Sequence, residues 1–358
     1  MTFINFRFLY KPAILNVSIK MNLQSKLYLY LVYFLLFFIS LNAYCNNENS
    51  SKDILQLQKK VLIPNVNGRI SQITFDSRRQ LLYIVAPENN SIEIVNLKNY
   101  SIKKQITSIL EPKGISYIKE TDILIITSGI DGKYFVLNAS DLTILHSFSI
   151  GPKPSGIKYD SISKRIYIGF GYGSISEIEP NTFENLIEYK LEGSPEEFQF
   201  HENGNKFFVN IPSMLHFEVI DKTKKKVVSK IKINGATNNF PMAIDTKTRR
   251  LFIGCQSPAK VVIFDTETYR QLTSFDCDGD PNNIFYDPVK LRIYLSCGAG
   301  FINIFEQITG DEFKLIEKRP TRNGARTSLY IPELDLFVVA IPSSLNRPAE
   351  IVIFSINH

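Results

Sequence analysis

The chain has 358 residues, 44% of them hydrophobic and 21% charged, with 41 Lys or Arg against 35 Asp or Glu. It has ample apolar material for a large core and no long low-complexity tract, which excludes a disordered chain. The net charge of +6 owes four basic residues, Arg7, Lys11, Lys20 and Lys26, to the N-terminal segment, so composition makes no global case for a nucleic-acid partner.

Those four residues precede an apolar run, Leu27 to Leu41, and no Asp or Glu occurs before Cys45. A basic head, an apolar run and a polar tail form the order of a secretory signal. Met21 opens a compact version of it, with residues 1–20 as an upstream extension. Ala43 and Cys45 are small enough for cleavage before Asn46. The competing reading is an uncleaved anchor through residues 27–43, and the bulky Tyr44 argues against lipidation of Cys45. Cleavage leaves 37 basic and 35 acidic residues, in a periplasmic or extracellular protein with no membrane insertion. It also leaves Cys255, Cys277 and Cys297, an odd count that allows at most one disulfide. Residues 46–54 are polar and predict a disordered linker; residues 55–358 form the folded domain.

A repeat dominates that domain. Ile73-Thr74-Phe75-Asp76 leads through a polar turn to Leu81-Leu82-Tyr83-Ile84-Val85, then to the alternating Ser91-Ile92-Glu93-Ile94-Val95-Asn96. Apolar runs separated by turns read as a strand meander. The place of Asp76 recurs at Ile118, Asp160, His201, Asp245, Asp287 and Pro332, at spacings of 42, 42, 41, 44, 42 and 45 residues. One copy is too small to bury an apolar face alone. Seven copies packed face to face around an axis bury both faces of each sheet, which predicts an all-β, seven-bladed β-propeller of four-stranded antiparallel blades. The last copy ends on a third strand, Ile351-Val352-Ile353-Phe354. Lys60-Val61-Leu62-Ile63, ahead of the first copy, resembles the missing fourth strand. The N-terminal strand is therefore expected to complete the last blade.

Leu82-Tyr83-Ile84-Val85-Ala86, Gly151-Pro152-Lys153-Pro154, Arg165-Ile166-Tyr167-Ile168-Gly169 and Val262-Ile263-Phe264-Asp265-Thr266 give the repeats a characteristic wording. It resembles that of the YVTN family of β-propellers, exported proteins of bacteria and archaea, across residues 60–358. The resemblance implies the propeller fold and export but no particular activity. The name-giving tetrapeptide is intact in no copy, and the absence of Trp sets the chain apart from the WD type.

In such a ring the loops leading into each inner strand gather on one face, around the channel mouth. Aligning the copies places Arg69, Lys113, Lys153, Glu196, Asn239, Asn282 and Arg326 on or near that rim as ligand-binding candidates. Asp276, Asp278 and Asp280, with Asn282 and Asn283, alternate as carboxylate and amide ligands of Ca²⁺ can, although Pro281 stands where an EF-hand loop needs Gly. His146 and His216 fall within strands, His201 in a surface turn, and no catalytic motif is present. Cys255 and Cys297 occupy equivalent packing positions. The Lys222, Lys224, Lys225, Lys226, Lys230 and Lys232 run reads as a charged, soluble outer edge. These features predict a monomeric, non-catalytic binding or scaffolding module, without cofactor or metal, that takes a protein, peptide or glycan at the rim. The alternatives are a metal-dependent lactonase or lyase using Glu196, Asn239, Asn282 or the Asp276–Asp280 group, and a single-stranded DNA binder. The latter would need aromatics beside the Lys patches, and the aligned rim supplies only Phe240.

Overall fold

The computed structural model describes residues 53–357; the expected export signal and nearly all of the expected linker lie outside them. The described residues form seven four-stranded antiparallel sheets. In the first blade the strands are Gln72–Asp76, Leu81–Ala86, Ser91–Asn96 and Ser101–Ile102, each hydrogen-bonded to the next. The last blade departs from this order. Its sheet runs Thr327–Ile331, Leu336–Ile341, Ala349–Ile356 and then Leu55–Ile63. The N-terminal strand pairs antiparallel with the C-terminal one from Leu55↔Ile356 to Ile63↔Ala349, with an irregularity between Leu57 and Lys59.

Closure thus takes the predicted form but uses a longer strand than Lys60–Ile63. Its extra turn of ladder is held from the neighbouring blade. The Ile54 N–H donates to Glu317 Oε2 at 2.5 Å, and Arg319 Nη2 donates to the Leu55 carbonyl at 2.7 Å.

The core is divided among the blade interfaces. Leu82, Ile84 and Val95 of the first blade pack on Val338, Ile351 and Ile353 of the last, together with Val61 and Ile63. The opposite face of the first blade, with Tyr83, Ile92 and Ile94, packs on Ile115, Leu124 and Ile126 of the second. Comparable apolar clusters fill the remaining interfaces. Strands buried on both faces explain why the second strand of each copy reads as an unbroken apolar run rather than an alternating one.

The turns on one face repeat a single polar device. Asp76 Oδ1 accepts the N–H groups of Arg78 and Arg79 at 2.9 and 3.0 Å, and Asp160, Asp245 and Asp287 accept turn N–H groups in the same way. These side chains replace backbone partners that a tight turn cannot supply. His201 does the same work through Nδ1, which accepts from the Asn203 N–H at 3.3 Å. Its side chain is buried, 4% exposed, at the base of a surface turn whose next two residues, Glu202 and Asn203, are exposed. Cations join adjacent blades here. Arg79 bridges Asp76 and Asp122 at 2.7 and 2.5 Å and holds the Asp122 carboxyl down at about 2. Lys222 reaches Asp160 of the preceding blade at 2.9 Å. It belongs to this network and not to the exposed basic edge that the sequence suggested.

Two outcomes test this packing. A chain beginning at residue 64 loses the buried Leu55, Val61 and Ile63 and exposes a strand edge. Its Tm should fall on the order of 10 °C below that of a chain beginning at residue 53; equal thermal midpoints would exclude closure by this strand. Second, the Tyr83 hydroxyl is buried without a hydrogen-bond partner, whereas Tyr330 donates to Asp287 Oδ2 at 2.6 Å. Tyr83→Phe should leave stability unchanged or raise it by about 1 kcal/mol, and Tyr330→Phe should lower it by about 2 kcal/mol. Denaturant titration of the two variants measures both.

Candidate functional site

On the opposite face the inter-blade connections and the turns between second and third strands surround a funnel of about 1260 Å³. Arg69, Lys113, Lys153, Glu196, Asn282 and Arg326 all line it, as the alignment of copies anticipated. Asn239 does not. It is fully buried below the mouth, and its Nδ2 donates to Asn210 Oδ1 at 2.8 Å and to the His216 carbonyl at 2.9 Å. The inner strand of its blade begins early, at Thr237, which carries Asn239 into the sheet rather than into the connection.

Three ion pairs set the funnel's electrostatics. Lys113 pairs with Glu111 at 2.7 Å, Lys158 with Glu197, and Arg326 with Asp280 at 3.1 Å. Lys113 and Arg326 are therefore each held in place by a carboxylate. Glu196 is accessible to the funnel's water yet surrounded by protein. That confinement, with Glu197 beside it, raises its carboxyl above the ordinary value, and Arg69 offsets part of the rise.

The sequence reading missed the funnel's carbon surface. Ile130 and Tyr172 are 67% and 75% exposed, and both line the mouth. They stand at hairpin tips between glycines, Gly129-Ile130-Asp131-Gly132 and Gly171-Tyr172-Gly173. Gly132 and Gly171 have φ of +63° and +64°, which a side chain would strain. An apolar residue at a glycine-flanked tip was the available signal, since such a tip has no core to enter. Lys153 lies over the Tyr172 ring at 5.0 Å, with Nζ 3.3 Å from its hydroxyl. Phe240 is thus joined at the mouth by a second aromatic ring.

The alternating aspartates do not converge. Asp276 pairs with Lys260 at 2.6 Å, Asp278 with Lys318 at 2.7 Å, and Asp280 with Arg326. Alternation along a strand and its connection sends the three carboxylates to different neighbours. Cys255 and Cys297 are fully buried in successive interfaces, in keeping with their equivalent positions, and burial pushes the Cys255 thiol up to about 12. All three described cysteines are free thiols.

The raised Glu196 carboxyl has a definite pH signature. A proton bound more tightly in the fold contributes stability below the ordinary glutamate value of 4.5, and that contribution is lost as pH rises through the raised folded value. Glu196→Gln should therefore raise Tm at pH 7. The gain should shrink on acidification and vanish below about pH 4.5, which thermal melts across pH 4–8 resolve.

No protein-family model matches the sequence, and no curated protein matches it, so the likeness to YVTN repeats stands on its residues alone. Solved structures do resemble the fold. A chain of Kuenenia stuttgartiensis hydrazine synthase superposes with a TM-score of 0.66 at 14% identity, over 80% of this chain and 98% of that one. A chain from the crystal structure of a mitotic checkpoint complex gives a TM-score of 0.72 at 9% identity, over 87% of this chain and 95% of that one. At such identities the likeness is one of architecture, and the architecture is that of a seven-bladed β-propeller.

Proposed function

We propose that this protein is an exported, non-catalytic propeller that holds a peptide segment of a partner protein in the funnel. The observation that carries the reading is the lining. Uncovered carbon surface at Ile130 and Tyr172 stands beside side chains of both charges, and a peptide supplies partners for each. A neutral glycan would leave Arg69, Lys153 and Glu196 without complements. A nucleic-acid strand would set its phosphates against Glu111, Asp131, Glu196 and Glu197. The lactonase or lyase alternative keeps Glu196 and Asn282 at the funnel but has less support, because Asp276, Asp278 and Asp280 are each bound to a cation and Asn239 is buried. One solved structure with this fold is that of a mitotic checkpoint complex, which accords with propellers serving as binding platforms.

Selection of a displayed random-peptide library against the folded protein tests the reading. Selected peptides should bind the intact protein, and Tyr172→Ala or Arg69→Ala should weaken them about tenfold, as loss of an aromatic or arginine anchor does. Lys224→Ala, on the outer edge, should change nothing, and all three Tm values should agree within about 2 °C. Peptides that ignore the two funnel substitutions would move the interface elsewhere. Retention of glycans alone would replace the peptide reading with a carbohydrate one.

A further inference from the structure

The connection from the third blade to the fourth, residues 191–197, brings Glu192 against His216 and Glu218 on the third strand of the fourth blade, His216–Asp221. One ligand atom from each residue lies within 4.8 Å of the others. His216 Nε2 is 3.5 Å from Glu192 Oε2 and 3.3 Å from Glu218 Oε1. Two donors about 2.0–2.1 Å from one tetrahedral ion stand about 3.3 Å apart, and the two His216–carboxylate separations are compatible with that spacing. Gly193 allows the approach, since a Cβ there would lie 2.6 Å from Ser213 Oγ.

Glu218 points independently to a ligand. It is fully buried, and its Oε2 has no hydrogen-bond partner; the Glu192 N–H and the imidazole occupy only Oε1. A buried carboxylate oxygen left without a partner is costly. The matching positions in the other copies are Glu93, Phe135, Ser176, Val262, Asn303 and Val352; the one other carboxylate among them, Glu93, accepts from Ser91 Oγ at 2.7 Å.

The molecule also contains its own control. In the sixth blade Asn303 occupies the place of Glu218, Asp278 that of Glu192, and Lys318 that of Lys230. The Asp278 N–H donates to Asn303 Oδ1 at 2.8 Å, as the Glu192 N–H does to Glu218 at 3.1 Å. There the set is complete, since Asn303 Nδ2 donates to Asp278 Oδ2 and Lys318 Nζ donates to Oδ1, both at 2.7 Å. In the fourth blade the amide is replaced by a second carboxylate, and Phe301 by His216. Two acids and an imidazole then face one another, with only the half-exposed Lys230 at 3.0 Å from Glu192 as counter-charge.

We infer that Glu192, His216 and Glu218 bind a divalent cation of the zinc class, with a coordination position open to solvent beside Glu192. One imidazole and two carboxylates suit such an ion. Bound there, it ties the third blade to the fourth. It also fixes the connection whose far end sets Glu196 and Glu197 in the funnel. Asn239, through the His216 carbonyl, holds the ligand-bearing strand from its other face.

The test is isothermal titration of Zn²⁺ into metal-stripped protein, with thermal melts alongside. One ion should bind per chain and raise Tm. Glu192→Gln, a surface change, should weaken binding at least tenfold. Glu218→Asn, which copies the sixth blade, should abolish it while the protein stays folded. Lys230→Ala should tighten binding several-fold by removing the competing ammonium. Unchanged affinity in both Glu192→Gln and Glu218→Asn would overturn the assignment, as would absence of any saturable Zn²⁺ binding. Equal competition by Ca²⁺, which has no use for the imidazole, would overturn it too.

Discussion

Every blade of this protein is apolar on both faces, and that constraint organises the rest. A four-stranded sheet with Leu82 and Ile84 on one side and Tyr83 and Val85 on the other cannot be half solvated, so it is stable only between two others. A row of such sheets has two unsatisfied ends until it closes. Here closure rests on one antiparallel ladder between strands nearly 300 positions apart in sequence, with Val61 and Ile63 completing the apolar layer behind it. Polar links reinforce the ring near its axis. The Ile115 N–H donates to Gln72 Oε1 at 3.0 Å, Gln199 Nε2 to the Met242 carbonyl at 2.8 Å, and the Ser328 N–H to Asn283 Oδ1 at 2.9 Å. Each crosses from one inner strand to the next.

The two faces of the ring follow different rules. On one, Asp76, Asp160, Asp245 and Asp287 repeat the same turn, and cations sew adjacent blades together. Repetition there reflects one local problem, the capping of turn N–H groups, solved in the same way each time. On the other face the copies diverge. Connections that share a Pro-containing frame carry Glu196 and Glu197 in one copy and Asn282 and Asn283 in another, and both sets reach the funnel. The fourth and sixth blades make the contrast sharpest. One backbone arrangement holds a self-satisfied Asn303–Asp278 pair in one blade, and in the other the acid-rich Glu192–His216–Glu218 group.

How much of this was legible depends on whether a residue's role is local or relational. The period near 42 residues, the apolar strand runs and the truncated last copy determined the blade number and the closing strand, because strand propensity and burial on both faces are written residue by residue. Six of the seven rim residues followed from the same alignment, since equivalent sequence positions take equivalent places in a repeat. The seventh, Asn239, failed because its strand starts early and draws it inward. Lys222 failed because its partner, Asp160, lies on another blade. Pairings of this kind, like the separation of Asp276, Asp278 and Asp280 onto different cations, depend on which blade a side chain faces. Tyr172 and Ile130 could have been read from their glycine-flanked tips. Glu218 and His216 could not be joined to Glu192 from sequence, for only the packing of the third blade on the fourth brings them within reach. The sequence by itself determined the ring and the frame of its mouth, through periodicity and burial. Only the tertiary structure decided which charges are neutralised and which acids meet, because those depend on distances across blade interfaces that no single repeat encodes.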